Sequence, residues 1–465
     1  MPSKSACNRP LGPFLLTERA RTTPNGYPGS RRVRGWRQAG PVAVLRPFRA
    51  LRPIPHLADR VAAPPYDVVD TEEARLLSAG NPHSFLHVSR PEIDLPPGTD
   101  PHGDPVHERG RRALAEFVEK GVLLQDPAES LYVYRQRSGT TTQIGLVGCA
   151  SVDDYLDGVI AVHERTRPDK EDDRTRHIEV LDAHDEPVFL LSRSDADVRA
   201  VIDEVIAAPP VCEVLVDGVL NQLWTVDGAE RLERLAAAFA AMDRLYVADG
   251  HHRSAAAARL CQKRRKEQAD AGMIGKRGLP HAEHEFFLSV VFAEDQVRVM
   301  AYNRVVKDLA GMSVQEFRDR LAGTFTVERV GDAVLPAQRH EFGMYLDGSW
   351  YRAVARPGVV DESDELARLD VSVLQEHVLA PLLKVADPRT DGRISFVGGA
   401  RGTQELERLV DSGGFAVAFS LYPTSVAELM AVSDRGEVMP PKSTWFEPKL
   451  RSGLFLHPLA PLTAP

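Results

Sequence analysis

The amino-acid sequence predicts a mixed α/β (α+β) fold built as one large body, and three observations carry that prediction. The chain has 465 residues, 43% hydrophobic and 26% charged, which are the proportions of a globular protein with a sizeable core. Short apolar runs of strand length alternate with helical patterns along most of it. One junction, Leu245 to Ala258, reads as strand, turn and helix with histidine and arginine at the turn.

The elements follow in order. Residues 1–41, with Arg31-Arg32-Val33-Arg34, are expected to be a disordered Arg/Pro-rich tail. An N-terminal α/β region is expected over 42–150. Within it, Ala63-Pro64-Pro65-Tyr66-Asp67 is an extended loop, because proline excludes helix at and before its own site. Val106 to Lys120 reads as an amphipathic helix closed by Gly121, and the runs around Ser138-Gly139 read as a hairpin. The next region, 151–270, holds strand Val188–Leu191, helix Asp195–Ala207, strand Glu213–Val216, helix Ala229–Met242 and the turn at Asp249. A C-terminal α/β region over 271–465 completes the chain. It has strands Phe286–Phe292 and Gln296–Tyr302, helix Ser313–Leu321, a hairpin over Glu341–Arg356, helix Val371–Leu383, helix Thr403–Asp411 and strand Phe415–Leu421.

The net charge of −9 repels a phosphate backbone, so no nucleic-acid partner is expected. Cys7, Cys149, Cys212 and Cys261 form no Cys-x-x-Cys pair, which points to a reduced, cytoplasmic setting. No run approaches the roughly 18 to 20 apolar residues that span a bilayer, so no membrane is expected either.

Chemistry concentrates in Asp249-Gly250-His251-His252-Arg253, between the apolar run Leu245–Ala248 and the alanine-rich helix that Ser254 opens. A helix N-terminus presents free N–H groups and partial positive charge to an anion. Arginine adds a planar fork matched to phosphate, and histidine a donor or a proton near neutral pH. Two readings stand: a phosphate cradle, or a capping aspartate followed by two surface histidines. No metal site is expected, because adjacent histidines point apart and no His-Glu-x-x-His is present. A second cluster, His163-Glu164-Arg165-Thr166-Arg167-Pro168-Asp169-Lys170 through Arg174, reads as a charged loop after an apolar strand. Glu164 is its candidate general base, and Lys170 and Arg174 its candidates for neutralising charge. Lys442, Ser443 and Thr444, with Lys449, form a third polar patch stiffened by prolines. The Gly398–Gly402 run is either a plain turn or a place where backbone approaches a nucleotide.

From about Val42 to Leu459 the chain resembles the large prokaryotic family catalogued as domain of unknown function number 1015. The residues that carry the resemblance include Ala62 to Val69, Asn81 to Leu86, His163 to Thr166, Ala248 to Arg253, Tyr302 to Val306 and Met439 to Thr444. The Asp-Gly-His-His-Arg turn and its helix are also similar to the phosphate-binding motif of free-serine kinases, which share a fold with ParB partition proteins and sulfiredoxin. That likeness implies a ParB/sulfiredoxin-like strand-turn-helix unit and a kinase moving a phosphoryl group from ATP or ADP, with Mg²⁺, to the hydroxyl of free L-serine. Glu164 would be the base, although it lies much further from the turn in sequence than in the small kinases. Asp249, Gly250, His251, His252, Arg253, Lys170, Arg174, Lys442, Ser443 and Thr444 would hold phosphate or nucleotide, and His251 and His252 would also serve catalysis. Two alternatives remain: a ParB-like nucleotide-binding protein, and a phosphoester hydrolase using His251 or His252.

Overall fold

Runs of β-branched and aromatic residues pair into a nine-stranded mixed sheet. Its spatial order is Ile160–Ala161, Leu245–Asp249, Val188–Ser192, Phe286–Ala293, Thr141–Ser151, Leu131–Ser138, Val219–Val226 and Cys212–Val216, with Leu45–Arg46 added on Thr141–Ser151. The computed structural model describes residues 43–273 and 282–460. The expected tail over 1–41 lies outside the described residues, as does Cys7; Cys149, Cys212 and Cys261 are buried free thiols.

Val188–Ser192 is buried at every position, as befits a central strand covered on both faces. It runs antiparallel to Leu245–Asp249 and parallel to Phe286–Ala293. Leu245–Asp249 in turn pairs in parallel with Ile160–Ala161, with Leu245 opposite Ile160 and Tyr246 opposite Ala161. Parallel neighbours finish at the same edge of a sheet, so His163-Glu164 and the Asp249 turn leave it side by side.

A second sheet has six strands in the order Phe325–Val330, Ser349–Ala355, Glu341–Leu346, Val417–Leu421, Tyr302–Val306 and Ile394–Gly398, every neighbour antiparallel. One hydrophobic core reaches both sheets. Phe189 lies 4.5 Å from Phe292 and 5.2 Å from Phe446, ring centre to ring centre, and Phe342 and Phe419 belong to the same cluster. Each such ring contributes about 1.5–3 kcal/mol through burial. Residues 40–465 form one compact unit, and the nine-stranded sheet draws strands from each of the stretches 42–150, 151–270 and 271–465.

Most elements fall where their patterns place them. The hairpin Leu131–Ser138 and Thr141–Ser151 turns at Gly139, and helix Asp104–Glu119 carries Pro105 in its first turn. Several readings change. The stretch Val162–Arg174, expected as loop, is helical from Pro168 onward, as part of Pro168–Leu181. Its inner face holds Asp173, Arg174 and His177 beside Ile178 and Leu181, so the buried stripe is charged and leaves no hydrophobic period to read. The expected strand Gln296–Tyr302 divides: Arg298–Met300 pairs with Trp445–Glu447, whereas Tyr302–Val306 joins the six-stranded sheet. The helix expected over Val371–Leu383 is α-helical only at Asp370–Leu374 and widens into a π turn at Gln375–Leu379. Helices Thr71–Ser78 and Val426–Asp434 were not expected, although each opens on a capping box, Asp70 with Glu73 and Ser425 with Glu428.

Candidate functional site

Gly250 takes φ 88°, a left-handed conformation that a side chain disfavours, and turns the chain from strand Leu245–Asp249 into helix His251–Gln268. The helix therefore begins at His251, earlier than the Ser254 start that alanine content indicates, and both histidines and Arg253 lie in its first turn. Pairing against Val188–Ser192 shifts register between Val247 and Asp249, an irregularity that re-aims Asp249. Its carboxylate accepts from the Gly250 N–H at 3.0 Å and from Lys449 Nζ at 3.0 Å. Burial alone would raise this carboxyl, but Lys449 and Arg253 outweigh burial and hold it well below the ordinary range.

Lys449 is set by the hairpin beneath it. Gln136 and Gln143, both buried, donate to the carbonyls of Lys449 and Pro448 at 2.9 and 3.0 Å. His251 is buried edge-on to His163, ring centres 4.5 Å apart, and His251 Nε2 has no hydrogen-bond partner among the described residues. Burial lowers His251 to about 4 and His163 to about 3, so both are neutral imidazoles at pH 7. The His252 Nε2 accepts from the Arg167 N–H at 3.1 Å, which fastens the His163–Arg167 segment to the turn.

Two adjoining cavities meet at this edge. The first, about 480 Å³, is lined by Asp249, His251, Thr444 and Lys449, by the aromatic rings of Tyr302 and Trp445, by Arg401 just before helix Gly402–Asp411 and by Arg408 within it. The second, about 440 Å³, is lined by Tyr66, His252, Arg165, Lys170 and Arg389, among others. Asp67, Glu164, Phe396 and Lys442 line both. The Lys442 carbonyl accepts from Arg304 at 3.0 Å, whereas its ammonium lies 5.8 Å from the centre of the Tyr302 ring and has no hydrogen-bond or ion-pair partner among the described residues. Burial acts to lower its ammonium, but Tyr302 and the carboxylates of Glu164, Asp67 and Asp249 raise it, so it is a lasting cation among acids.

The other expected site residues lie elsewhere. Arg253 lines neither large cavity: its guanidinium donates to both Asp67 oxygens at 3.1 and 3.2 Å and to the Pro187 carbonyl at 3.0 Å, and sits 3.1 Å from Glu186. A direct grip on phosphate is replaced by a buried strut, because acceptors from two distant segments fill its fork. Arg174 is likewise turned inward, 2.9 Å from Asp173 and 4.1 Å over the Tyr66 ring. Ser443 is buried and donates to the Pro440 carbonyl at 2.6 Å, so it lines neither cavity. Asp67, Tyr302, Phe396, Trp445, Arg389 and Arg401 are lining residues that the motif reading passed over. Asp67 carried a signal in the rigid Pro-Pro-Tyr-Asp loop, Arg401 in the Gly398–Gly402 run and Tyr302 in the family resemblance, but none was read as a lining side chain. Among the described residues no group of three or more His, Cys, Asp or Glu is arranged to hold a metal ion, and no helix is long and apolar enough to cross a membrane.

Fold and site together define a mixed α/β protein with a two-chambered cavity at the shared edge of parallel strands. Residues 45–372 match the model of the family described as protein of unknown function DUF1015, and the chain belongs to that family. That match ends before the Phe396 and Lys442 walls. No curated protein matches the chain. Solved structures similar to it include a free serine kinase in complex with AMP, at 14% identity over 65% of this chain and 86% of that one, TM-score 0.32. They also include SbnI with C-terminal truncation from Staphylococcus aureus, at 14% identity over 67% and 87%, TM-score 0.34. A conserved hypothetical protein from Pyrococcus furiosus is similar at 13% identity over 68% and 96%, TM-score 0.32.

Proposed function

We propose that the chain is a small-molecule phosphotransferase that moves a phosphoryl group from ATP or ADP to the hydroxyl of a small acceptor, with free L-serine the first acceptor to test. The observation that carries this reading is the meeting of Glu164, Lys442 and the Asp249 turn on one cavity edge, although 85 residues separate Glu164 from Asp249. Phosphoryl transfer asks for a base near the acceptor, charge neutralisation and in-line placement. Glu164, on the wall common to both chambers, takes the acceptor's proton. The acceptor oxygen forms a bond to the terminal phosphorus, the bridging P–O bond of the donor breaks, and ADP or AMP leaves. Lys442, Thr444 and the first N–H groups of helix His251–Gln268 face the phosphates, and the rings of Tyr302 and Trp445 offer stacking surface to a base.

Mg²⁺ ordinarily takes one or two carboxylates together with substrate phosphates. Asp67 and Asp249 on the wall of the first chamber are the pair of carboxylates that would hold it together with the substrate phosphates, Glu164 being kept for the base. When bound, the ion neutralises phosphate charge. His251 and His252 keep the turn in place as neutral rings, and Arg253 ties the turn to Asp67.

The test is incubation of the purified chain with L-serine, Mg²⁺ and either ATP or ADP, with O-phosphoserine read by mass spectrometry. Turnover is expected, and Glu164→Gln should lower it by about 10²–10⁴-fold while leaving nucleotide binding intact. No product with either donor across a panel of hydroxy amino acids overturns the reading. Release of inorganic phosphate from O-phosphoserine without nucleotide turnover replaces it with a hydrolase.

A further inference from the structure

The second chamber carries more positive charge than the transfer step, which uses Lys442, requires. Four cationic side chains on its wall, Arg165, Lys170, Arg389 and Lys442, have no ion-pair or hydrogen-bond partner among the described residues. The other two lining arginines are already matched, Arg90 by Glu92 at 2.8 Å and Arg167 by Asp169 at 2.8 Å. Of the two lining carboxylates, Asp67 is matched by Arg253, which leaves Glu164 alone against four unmatched cations. Like charges gathered around a concave wall repel one another unless a ligand of opposite sign fills it, and the guanidinium fork is shaped for phosphate oxygens.

Size points the same way. Pockets of about 300–1,000 Å³ take ligands of drug size. At about 440 Å³ the chamber has room for more than a three-carbon amino acid. Its remaining wall includes the stiff residues Pro388 and Pro441 and the rings of Tyr66 and Phe396. Pre-formed walls lower the entropic cost of binding. Because Glu164 and Lys442 belong to both chambers, a molecule seated here has its far end among the free cations and its near end at the transfer point.

We propose that this chamber is the acceptor subsite and that it selects a hydroxyl compound carrying a phosphate monoester over a neutral or zwitterionic alcohol. The proposal rests on the phosphotransferase reading for the role of the hydroxyl, but the dianion subsite is a binding property and is tested as one. Arg165, Lys170 and Arg389 receive the dianion, Lys442 spans it and the transferring group, and Glu164 stands at the hydroxyl end.

Equilibrium titration of the full chain, with and without a non-hydrolysable ATP analogue, compares glycerol 3-phosphate with glycerol and L-serine. Glycerol 3-phosphate should bind at least tenfold more tightly than either, in the presence of the analogue as in its absence. Arg389→Glu and the milder Arg389→Gln should each weaken it, the first at least tenfold, while affinity for the analogue stays within twofold. Equal binding of glycerol and glycerol 3-phosphate overturns the proposal, as does binding unchanged in both variants. Displacement of glycerol 3-phosphate by the analogue also overturns it, by giving the chamber to the donor's own phosphates. Selective dianion binding with no phosphoryl transfer to any acceptor refutes the phosphotransferase reading alone; transfer to L-serine without dianion selectivity refutes this one alone.

Discussion

Two strand-to-helix turns line the first chamber, and they are built in opposite ways. In Asp249–Arg253 the side chains of His251 and Arg253 are buried, those of Asp249 and His252 half-buried, and the charges are used inside the protein, Asp249 on Lys449 and Arg253 on Asp67 and Glu186. In Gly398–Gly402 the backbone is the packed part. A Cβ on Gly398 would lie 2.8 Å from the Trp445 ring and one on Gly399 would lie 2.7 Å from the Ala301 carbonyl, whereas Arg401 is exposed and unpaired among the described residues. The difference teaches that the same local device has two duties here. The first turn gathers distant segments into a site, and the second brings a wall close and presents one charge.

The comparison can be broken or sharpened by substitution. The largest effect is expected from Arg253→Ala, which leaves Glu186 and Asp67 without their cation; loss of one partner of a buried pair costs about 3–5 kcal/mol. Urea unfolding should report a loss of that order, and a variant as stable as the parent would remove the strut from the account. Lys449→Met should cost about 1–3 kcal/mol, because the Asp249 carboxylate keeps the Gly250 N–H as its hydrogen-bond donor and only the more distant charge of Arg253. In the second turn, Gly399→Ala drives a methyl into backbone and should cost about 1–3 kcal/mol by overpacking, with no change in the pH dependence of stability.

The pH dependence itself separates the turns. Burial holds His251 to about 4 and His163 to about 3, and likewise His107 to about 4 and His184 to about 3. In the unfolded chain these imidazoles titrate at about 6.5. Between these values the unfolded chain binds more protons, so their stabilisation is fully present above pH 6.5 and is lost as pH falls toward 4. Asp370 and Glu186, each pushed up to about 7 by burial, act in the opposite direction over the same window, but two carboxyls stand against four imidazoles. The urea midpoint should therefore fall between pH 6.5 and 4.5, and His251→Asn should shrink that fall; an unchanged slope in the variant refutes the assignment. The smallest effect belongs to Arg401→Ala, expected to leave stability within about 0.5 kcal/mol and to weaken binding of an ATP analogue only a few-fold.

Reading the structure of the turn from sequence succeeded because its information is local. Leu245–Ala248 is apolar, Gly250 permits a left-handed turn, and the alanines that follow favour helix, so the strand-turn-helix unit is written in consecutive residues. It failed where partners are remote. Arg253 looks like a phosphate ligand until Asp67 and Glu186 arrive from other parts of the fold, and Arg174 looks like loop until Pro168–Leu181 buries it against Tyr66. Phe396, Trp445 and Arg389 carry no motif; they matter because the fold brings Trp445 to the first chamber, Arg389 to the second and Phe396 to the wall of both.

The sequence by itself determined a mixed α/β fold, membership of its family, and a turn able to present N–H groups and imidazoles at a helix start. The tertiary structure alone decided that Glu164 stands beside that turn, that Arg253 is a strut and that Lys442 is the free cation between two chambers. The reason is physical. Turn and helix preferences act over a few residues, whereas the neighbours of a buried charge are set by strand pairing, here the parallel register of Leu245 on Ile160.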